Sequence, residues 1–182
     1  MAEYETIRSL AESVTEPFMV WTDEPLDLVH RVFWSYDPRN LQISIRWLDA
    51  ERMRSPGALW DEFCAALQFP HFFGRNWNAF IDCLRALDWE LRRSHVLIVV
   101  NAESLLADDR PDGLEHFRHV LGFVADELSR EYQESFDRRR PPTPFHVVFH
   151  AAGAGADRWQ ERLNTGGLVV PKMPLRNPAS WP

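Results

Sequence analysis

Residues 72–84 read Phe72-Phe73-Gly74-Arg75-Asn76-Trp77-Asn78-Ala79-Phe80-Ile81-Asp82-Cys83-Leu84, and this stretch decides the fold. Two adjacent phenylalanines precede a glycine, which we expect to turn the chain sharply because glycine adopts positive φ without steric cost. Asn76 is a preferred N-cap residue, so a helix is predicted over about residues 76–87. The stretch therefore joins an aromatic loop to the start of a helix.

The predicted helix has one apolar and one polar face. Its large apolar residues recur at intervals of three or four and so form one core-facing stripe: Trp77, Phe80, Leu84 and Leu87. Asn78, Asp82 and Arg85 stand at i, i+4 and i+7, which points them outward together. The stretch therefore predicts a surface that grips a partner, with the aromatic loop beside the polar helix face.

This stretch resembles the barstar family, inhibitors of extracellular guanyl-specific ribonucleases. The shared pattern is aromatic-aromatic-Gly-x-Asn, an aliphatic or aromatic residue, Asp or Asn, then Ala-x-x-Asp-Cys-Leu. Most of its positions are filled here in unbroken register. A looser agreement in the order of predicted elements extends over roughly residues 41–150.

The resemblance implies a role for Asp82 as the central anchor, because the family's aspartate at this position enters the nuclease's phosphate-binding site and pairs with its basic groups. Phe72 and Phe73 match two interface tyrosines, with ring stacking kept and the hydroxyl lost. The residues expected to bind a partner are Phe72, Phe73, Gly74, Arg75, Asn76, Asn78, Asp82, Arg85 and Asp88, the last as a rim residue.

Three positions depart from the family pattern. Arg75 stands where the family has glutamate, Asn78 where it has a second aspartate, and Ile81 where it has tryptophan. The first two changes remove acidic charge and the third removes a candidate contact. The resemblance therefore supports the fold more firmly than it supports barnase itself as the target.

The central segments predict alternating strands and helices. A Ser55-Pro56 start predicts a helix that ends before Pro70. Residues 96–100 are a continuous apolar run typical of a central strand. Asp112 and Glu115 form a capping-box pattern at the start of the longest predicted helix. The basic run 138–140 is predicted to end that helix and form a loop before a strand at 145–149.

The order strand, helix, helix, strand, helix, strand predicts parallel pairing with right-handed crossovers. The fold class is therefore α/β: a barstar-like three-layer fold, with a small parallel sheet packed by helices. Residues 32–36 and 41–47 flank a turn-forming segment and predict a β-hairpin, which would add an antiparallel edge strand. We divide the chain into an N-terminal extension (1–40), a barstar-like domain (41–150) and a C-terminal extension (151–182).

The two extensions carry their own patterns. Residues 4–14 have helical apolar spacing, and 18–21 are predicted to form a short strand that packs on the core. In the C-terminal extension, residues 157–163 predict a short helix and residues 168–170 a further edge strand. The barstar-like domain explains neither extension.

Composition narrows the class of partner. The 182 residues are 45% hydrophobic and carry a formal net charge of -7, which argues against binding of nucleic acid by bulk charge and favours a basic partner. Its two cysteines, Cys64 and Cys83, fall on apolar helix faces and are predicted to be free and buried rather than disulfide-bonded. No signal peptide or membrane span is recognisable, which indicates the cytoplasm.

No pattern demands catalysis, a metal or a cofactor. His116 with His119, and His146 with His150, have the spacing of ligand pairs but lack a convincing third and fourth ligand. The small-residue stretch 151–155 has no lysine and favours a turn over a phosphate loop. The basic run 138–140 is most simply a charge cluster at a helix C-terminus, with contact to nucleic acid the lesser reading.

The sequence thus predicts a non-catalytic ribonuclease inhibitor or toxin-immunity protein whose partner is a basic ribonuclease. Two alternatives remain open. One is a barstar-fold adaptor whose partner is not a nuclease, which extensions covering Asn78 and Asp82 would favour. The other is a hydrolase or nucleic-acid enzyme, which a cleft formed by His71, Arg75 and Asp82 would favour.

Overall fold

The structure is a computed structural model that describes residues 14, 18–34, 43–87, 94–135 and 138–173. The predicted N-terminal helix, apart from Val14, lies outside the described residues, and so does the proposed rim residue Asp88.

Eleven β-strands and α-helices, together with two short 3-10 helices, follow one another along the described chain. The first eleven are named in chain order. The strands and α-helices are β1 (Met19–Thr22), α1 (Leu26–Trp34), β2 (Ile43–Asp49), α2 (Pro56–Leu67), α3 (Trp77–Arg85), β3 (Ser94–Val100), α4 (Gly113–Leu128), β4 (Tyr132–Ser135), β5 (Arg138–Arg140), β6 (Phe145–His150) and α5 (Ala154–Thr165). The longest of these helices is α4, with 16 residues. None of the helices in the described ranges is long and apolar enough to cross a membrane.

Four strands form one parallel sheet in the order β1-β6-β3-β2. The steps from β2 to β3 and from β3 to β6 move across the sheet in one direction, and the helices between them cover one face. The step from β1 to β2 runs the opposite way, and α1 covers the other face. Right-handed crossovers require this reversal of face, so the topology follows the general rule for parallel connections.

The sheet separates two apolar layers, as alternation along buried strands dictates. On one face, Leu97 and Val99 of β3 lie in the larger core with the buried residues of α2, α3, α4 and α5. On the other face, Val96 and Ile98 lie with Val29, Val32 and Phe33 of α1. The predicted three-layer arrangement is confirmed.

The capped helices at the centre of the chain begin where the sequence predicts. Ser55 is the N-cap of α2, its side chain accepts a hydrogen bond from the Ala58 amide at 3.4 Å, and Pro56 is the first helical residue. Asn76 is the N-cap of α3. The predicted central strand is also confirmed, because β3 pairs with β2 on one side and β6 on the other.

The predicted antiparallel hairpin is wrong. Leu26–Trp34 is a helix, and within the described residues β1 and β2 both enter the main sheet in parallel. Val29, Val32 and Phe33 are spaced as a helical stripe, and Pro25 accepts hydrogen bonds from the first turn through its carbonyl. The contiguous apolar residues 32–34 were the misleading part of this pattern, because a short apolar run fits a strand and a helix equally well.

The end of α4 also differs from the prediction. The helix stops at Leu128, ten residues before the basic run, and Arg138–Arg140 pairs antiparallel with Tyr132–Ser135 in a separate two-stranded sheet. Arg140 turns back and donates to the carbonyls of Glu127 and Leu128, each at 3.0 Å. Its guanidinium therefore satisfies terminal carbonyls of α4, which is the favoured place for a cation on a helix.

Two smaller predictions also need correction. Asp112 is the N-cap of α4 but adopts helical φ and ψ and makes no capping hydrogen bond with its side chain, so the capping box does not form. Residues 168–170 are not a strand. The pairing falls slightly later, where the Lys172 segment bridges Trp21 of β1 in parallel. The predicted C-terminal helix is confirmed and is longer than expected, as α5.

Candidate functional site

The aromatic loop holds its two phenylalanines in different environments. Phe73 is half-buried, its ring centroid lies 5.2 Å from that of Phe69, and its amide donates to the Pro70 carbonyl at 2.9 Å. Phe72 is 76% exposed and has the ring of His71 at a centroid distance of 5.4 Å. Phe73 therefore anchors the loop, whereas Phe72 presents an apolar ring to solvent.

The turn into α3 depends on Asn76 and on a close approach at Gly74. Asn76 Oδ1 accepts from the Ala79 amide at 2.9 Å, and Nδ2 donates to the Gly74 carbonyl at 3.0 Å. A Cβ on Gly74 would lie 3.0 Å from Asn76 Nδ2, which is too tight without movement of that side chain. The expected positive φ at Gly74 is wrong: the left-handed residue is Arg75, with φ of 48°.

The apolar stripe of α3 faces the core as predicted. Phe80 and Leu84 are fully buried, and the Phe80 ring lies 4.9 Å from that of Phe63 on α2. Trp77 is half-buried at the start of the stripe and contacts Trp60 on one side and His116 of α4 on the other. Contacts to both neighbouring helices fix the rotation of α3.

The opposite stripe points away from the core. Asn78 is exposed, and the side chain of Asp82 is 75% exposed. The guanidinium of Arg85 lies 3.0 Å from the Glu127 carboxylate on α4. It lies 4.0 Å from the carboxylate of Asp82 on its own helix. The structure thus brings Asn78 and Asp82 onto one open face and places Arg85 at its border.

Arg75 is tied to helix α2. Its guanidinium makes a two-pronged pair with the Asp61 carboxylate, one prong at 2.9 Å, and reaches the Gly57 carbonyl at 3.4 Å. The hydrogen bond from Arg75 holds the pKa of Asp61 below its ordinary value. Both arginines of the loop and helix are therefore charge-paired with acids outside the exposed stripe.

These ion pairs offset the positive charge that the two arginines bring to the loop and to α3. Arg75 replaces an acid of the family pattern, yet Asp61 compensates its charge, and Glu127 does the same for Arg85. Asp82 has only the 4.0 Å contact with Arg85 among the ion pairs of the described residues. Its carboxylate therefore remains available to a cation of another molecule.

Sequence reasoning missed Asp61 and Glu127, because they lie on other helices and belong to no motif. Asp61 precedes Arg75 by 14 positions, and the two meet only because α2 packs beside the loop. One feature of the sequence bears on this contact. Asp61 stands four residues after Gly57, so both lie on the same side of α2, where one side chain can reach them together.

The remaining candidate groups lie apart from this face or play local roles. Cys64 and Cys83 are free, as predicted, but half-buried rather than fully buried. Burial, together with the charge of Asp82, raises the pKa of the Cys83 thiol. His119 contacts the neighbouring Arg118, and His150 contacts the Glu24 carbonyl at 3.0 Å. Within the described ranges, no group of three or more His, Cys, Asp and Glu side chains is placed to hold a metal ion.

His71, Arg75 and Asp82 do not enclose a cleft. All three are exposed: His71 lies against Phe72, Arg75 is engaged with Asp61, and Asp82 stands on the outer side of α3. The fold and this open face define an α/β protein that presents an aromatic loop and a capped helix to solvent.

The family model described as Barstar (barnase inhibitor) matches residues 43–150, which include the whole loop and helix. The chain belongs to the barstar family, a family of non-catalytic inhibitors. A comparison with curated proteins finds no match.

Among solved structures, the chain is similar to the ORC2 protein of Aeropyrum pernix, solved as ADPNP-ADP complexes. The TM-score is 0.50 at 11% sequence identity, and the alignment covers 85% of this chain. The chain spans 40% of that protein. At this identity the likeness concerns the α/β fold alone.

Proposed function

We propose that this protein is a non-catalytic inhibitor or immunity protein that occludes the active site of a basic ribonuclease. The observation that carries the proposal is the exposed carboxylate of Asp82, held on a capped helix that follows the loop with the exposed ring of Phe72. The match to the barstar family over residues 43–150 supports the same reading.

Asp82 would act as a mimic of a substrate phosphate. A ribonuclease needs arginine, lysine or histidine side chains to bind RNA phosphates, and an ionised carboxylate forms charge-assisted hydrogen bonds with the same groups. Because α3 is fixed by contacts to α2 and α4, the carboxylate is presented without a large ordering cost. The inhibitor would thus exploit groups that the enzyme cannot lose without losing activity.

The neighbouring residues would complete the interface. Phe72 would stack on an aromatic or imidazole ring of the nuclease, and Asn78 would fix the register by hydrogen bonding. Phe73, Gly74 and Asn76 would shape the loop. Arg85 and Asp88 would lie at the rim, the latter being outside the described residues.

Association should be steered by charge. The formal net charge of -7 favours approach of a basic enzyme, and this attraction weakens as the Debye length falls from about 30 Å at 0.01 M salt to about 8 Å at 0.15 M. We therefore expect the association rate constant to decrease with added salt.

The proposal predicts that Asp82→Ala weakens binding to the cognate nuclease by about 10- to 100-fold, the range expected when one hydrogen bond between charged groups is lost. The unmodified chain, Asp82→Ala and Asp82→Arg should be used as baits on an extract of the native host. Recovered protein should be identified, assayed for RNA cleavage and titrated with each variant.

Asp27→Ala is the matched control. Asp27 is also an exposed helix aspartate near an arginine, with 69% of its side chain exposed, but it lies on α1 across the sheet. It should leave binding unchanged. Equal affinity of the unmodified chain and Asp82→Ala for the nuclease would contradict the assigned role of Asp82.

The same experiment distinguishes the adaptor alternative. In the described part of the chain, the extensions leave Asn78 and Asp82 exposed, which supports the inhibitor mode. Recovery of one partner that has no nuclease activity by the unmodified and Asp82→Arg baits alike would favour an adaptor instead.

A further inference from the structure

Arg75 joins the aromatic loop to a neighbouring helix. Its guanidinium uses two nitrogens on the Asp61 carboxylate and one of them also on the Gly57 carbonyl. Gly57 and Asp61 stand one helical turn apart, on one side of α2. A planar guanidinium that meets both groups has a defined position as well as a charge partner.

The backbone at Arg75 also requires an explanation. Its φ of 48° lies in the left-handed region, which is uncommon for a residue other than glycine, asparagine or aspartate. Such a conformation persists where the surroundings determine it from several sides. Here the Asn76 cap holds the chain on the helix side, and the contacts to α2 hold the side chain.

The loop is consequently fastened at three points. The Phe73 amide donates to Pro70, Asn76 bonds to both Gly74 and Ala79, and Arg75 reaches α2. Only the third of these connects the loop to another helix by a polar contact. Phe72, whose ring is exposed, lies within the turn that the first of these bonds closes and two residues before Arg75's neighbour Gly74.

We propose that Arg75 is a positioning residue, which acts through Asp61 to hold the Phe72 loop in the shape that meets the partner and does not itself contact the partner. This inference rests on the proposed function only for what the loop binds. Holding a recognition loop in its bound shape strengthens binding by reducing the entropy lost on association.

The first test uses the free protein and needs no partner. Hydrogen exchange of the Phe73 and Ala79 amides should be measured by NMR in the unmodified chain, Arg75→Ala, Asp61→Ala and the double variant. We expect exchange at these amides to rise about two- to fivefold in each single variant, the range for an exposed ion pair. The double variant should match the singles, because both act through one contact.

Charge reversal provides the rescue. Arg75→Asp combined with Asp61→Arg restores an ion pair with its ends exchanged, and aspartate tolerates positive φ. Exchange in this double variant should return most of the way to that of the unmodified chain. Arg75→Lys should be intermediate, because an ammonium cannot form the two-pronged pair.

Arg54→Ala is the matched control. Arg54 makes an exposed two-pronged pair with Asp108, at 2.7 and 2.8 Å, and neither residue belongs to the aromatic loop. This variant should leave exchange at Phe73 and Ala79 unchanged. Unchanged exchange in Arg75→Ala, or exchange raised equally by Arg54→Ala, would overturn the inference.

The second test uses barnase as the nuclease probe and, where the bait experiment yields one, the recovered nuclease. Arg75→Ala and Asp61→Ala should weaken binding by the same factor, and the charge-reversed pair should regain most of it. If only Arg75→Ala weakens binding, Arg75 is a direct contact and the inference fails. If neither nuclease binds while loop exchange follows the expected pattern, the proposed function fails and the positioning role stands.

Discussion

The buried imidazole of His150 ties the end of β6 to the segment after β1. It is 4% exposed, and its Nε2 lies 3.0 Å from the Glu24 carbonyl. Burial lowers the pKa of His150 below its ordinary value of 6.5, and the nearby charge of His30 acts in the same direction. The hydrogen bond with the Glu24 carbonyl and the charges of Glu103 and Asp23 oppose this shift.

Because the folded protein binds this proton less readily than the unfolded chain, His150 should make stability fall as pH decreases below about 6.5. Above that pH the residue is neutral in both states and contributes no dependence. We expect the free energy of unfolding in urea to be lower at about pH 5.5 than at about pH 7.5. In His150→Asn, which cannot titrate, this difference should be smaller.

His71→Asn is the control for that measurement, because His71 is exposed on the aromatic loop. It should keep the pH dependence of the unmodified chain. A His150→Asn variant whose stability falls with pH as steeply as that of the unmodified chain would show that other groups carry the effect.

At the scale of residues, the sequence predicted which side chains are exposed better than it predicted the residues that pair with them. Asn78 and Asp82 point outward as their spacing predicts, because helical periodicity is a local property. The partner of Arg75 is decided by the way α2 packs against the loop, which no local pattern contains. The left-handed φ at Arg75 was not predicted, because glycine is the residue that adopts this conformation readily and the prediction was therefore made for Gly74.

The phenylalanines of the aromatic loop and of helix α3 have different roles, because they differ in burial. Phe80 is fully buried, with ring contacts to Phe63, Phe69 and Trp77. Phe80→Ala should lower the free energy of unfolding by about 3–5 kcal/mol, because it removes a buried ring and leaves a cavity. Urea unfolding followed by tryptophan fluorescence measures this change.

Phe72→Ala is the matched comparison for that prediction. Its exposed ring contributes little to the fold, so stability should stay within about 0.5 kcal/mol of the unmodified chain. Binding to the nuclease should instead weaken. Similar losses of stability in the two variants would mean that Phe72 is a core residue and not part of the recognition surface.

At the scale of elements, prediction succeeded where end signals and periodicity agreed. Ser55 with Pro56 and Asn76 marked two helix starts, and the apolar run of β3 marked the central strand. It failed at α1, where a short apolar run outweighed the helical spacing around it. It failed again after Leu128, where the chain pairs with itself and the signal is long-range.

At the scale of the whole molecule, three parts of the chain contribute to the main sheet and its covering helices. The family match covers β2, β3 and β6 of the main sheet, whereas β1 and α1 come from the preceding segment. The following segment supplies α5 and the Lys172 bridge to Trp21. We propose that residues 1–40 and 151–182 are extensions to the domain at 41–150, and that their described parts, 18–34 and 151–173, fold together with residues 43–150 as one cooperative unit.

This proposal predicts that residues 43–150 alone do not unfold cooperatively. Without α1, the apolar face formed by Val96, Ile98 and Val148 loses its cover, and without β1 the strand β6 becomes an open edge. Exposing each of these side chains costs about 1.5–3 kcal/mol, so together they approach the whole stability of a typical domain, about 5–15 kcal/mol. Near-ultraviolet circular dichroism and urea unfolding should therefore show a poorly ordered, aggregation-prone chain. Residues 18–173, which contain every described strand and helix, should unfold in one transition like the full chain. A single sharp transition for residues 43–150 would instead show that this part of the chain is stable without the extensions.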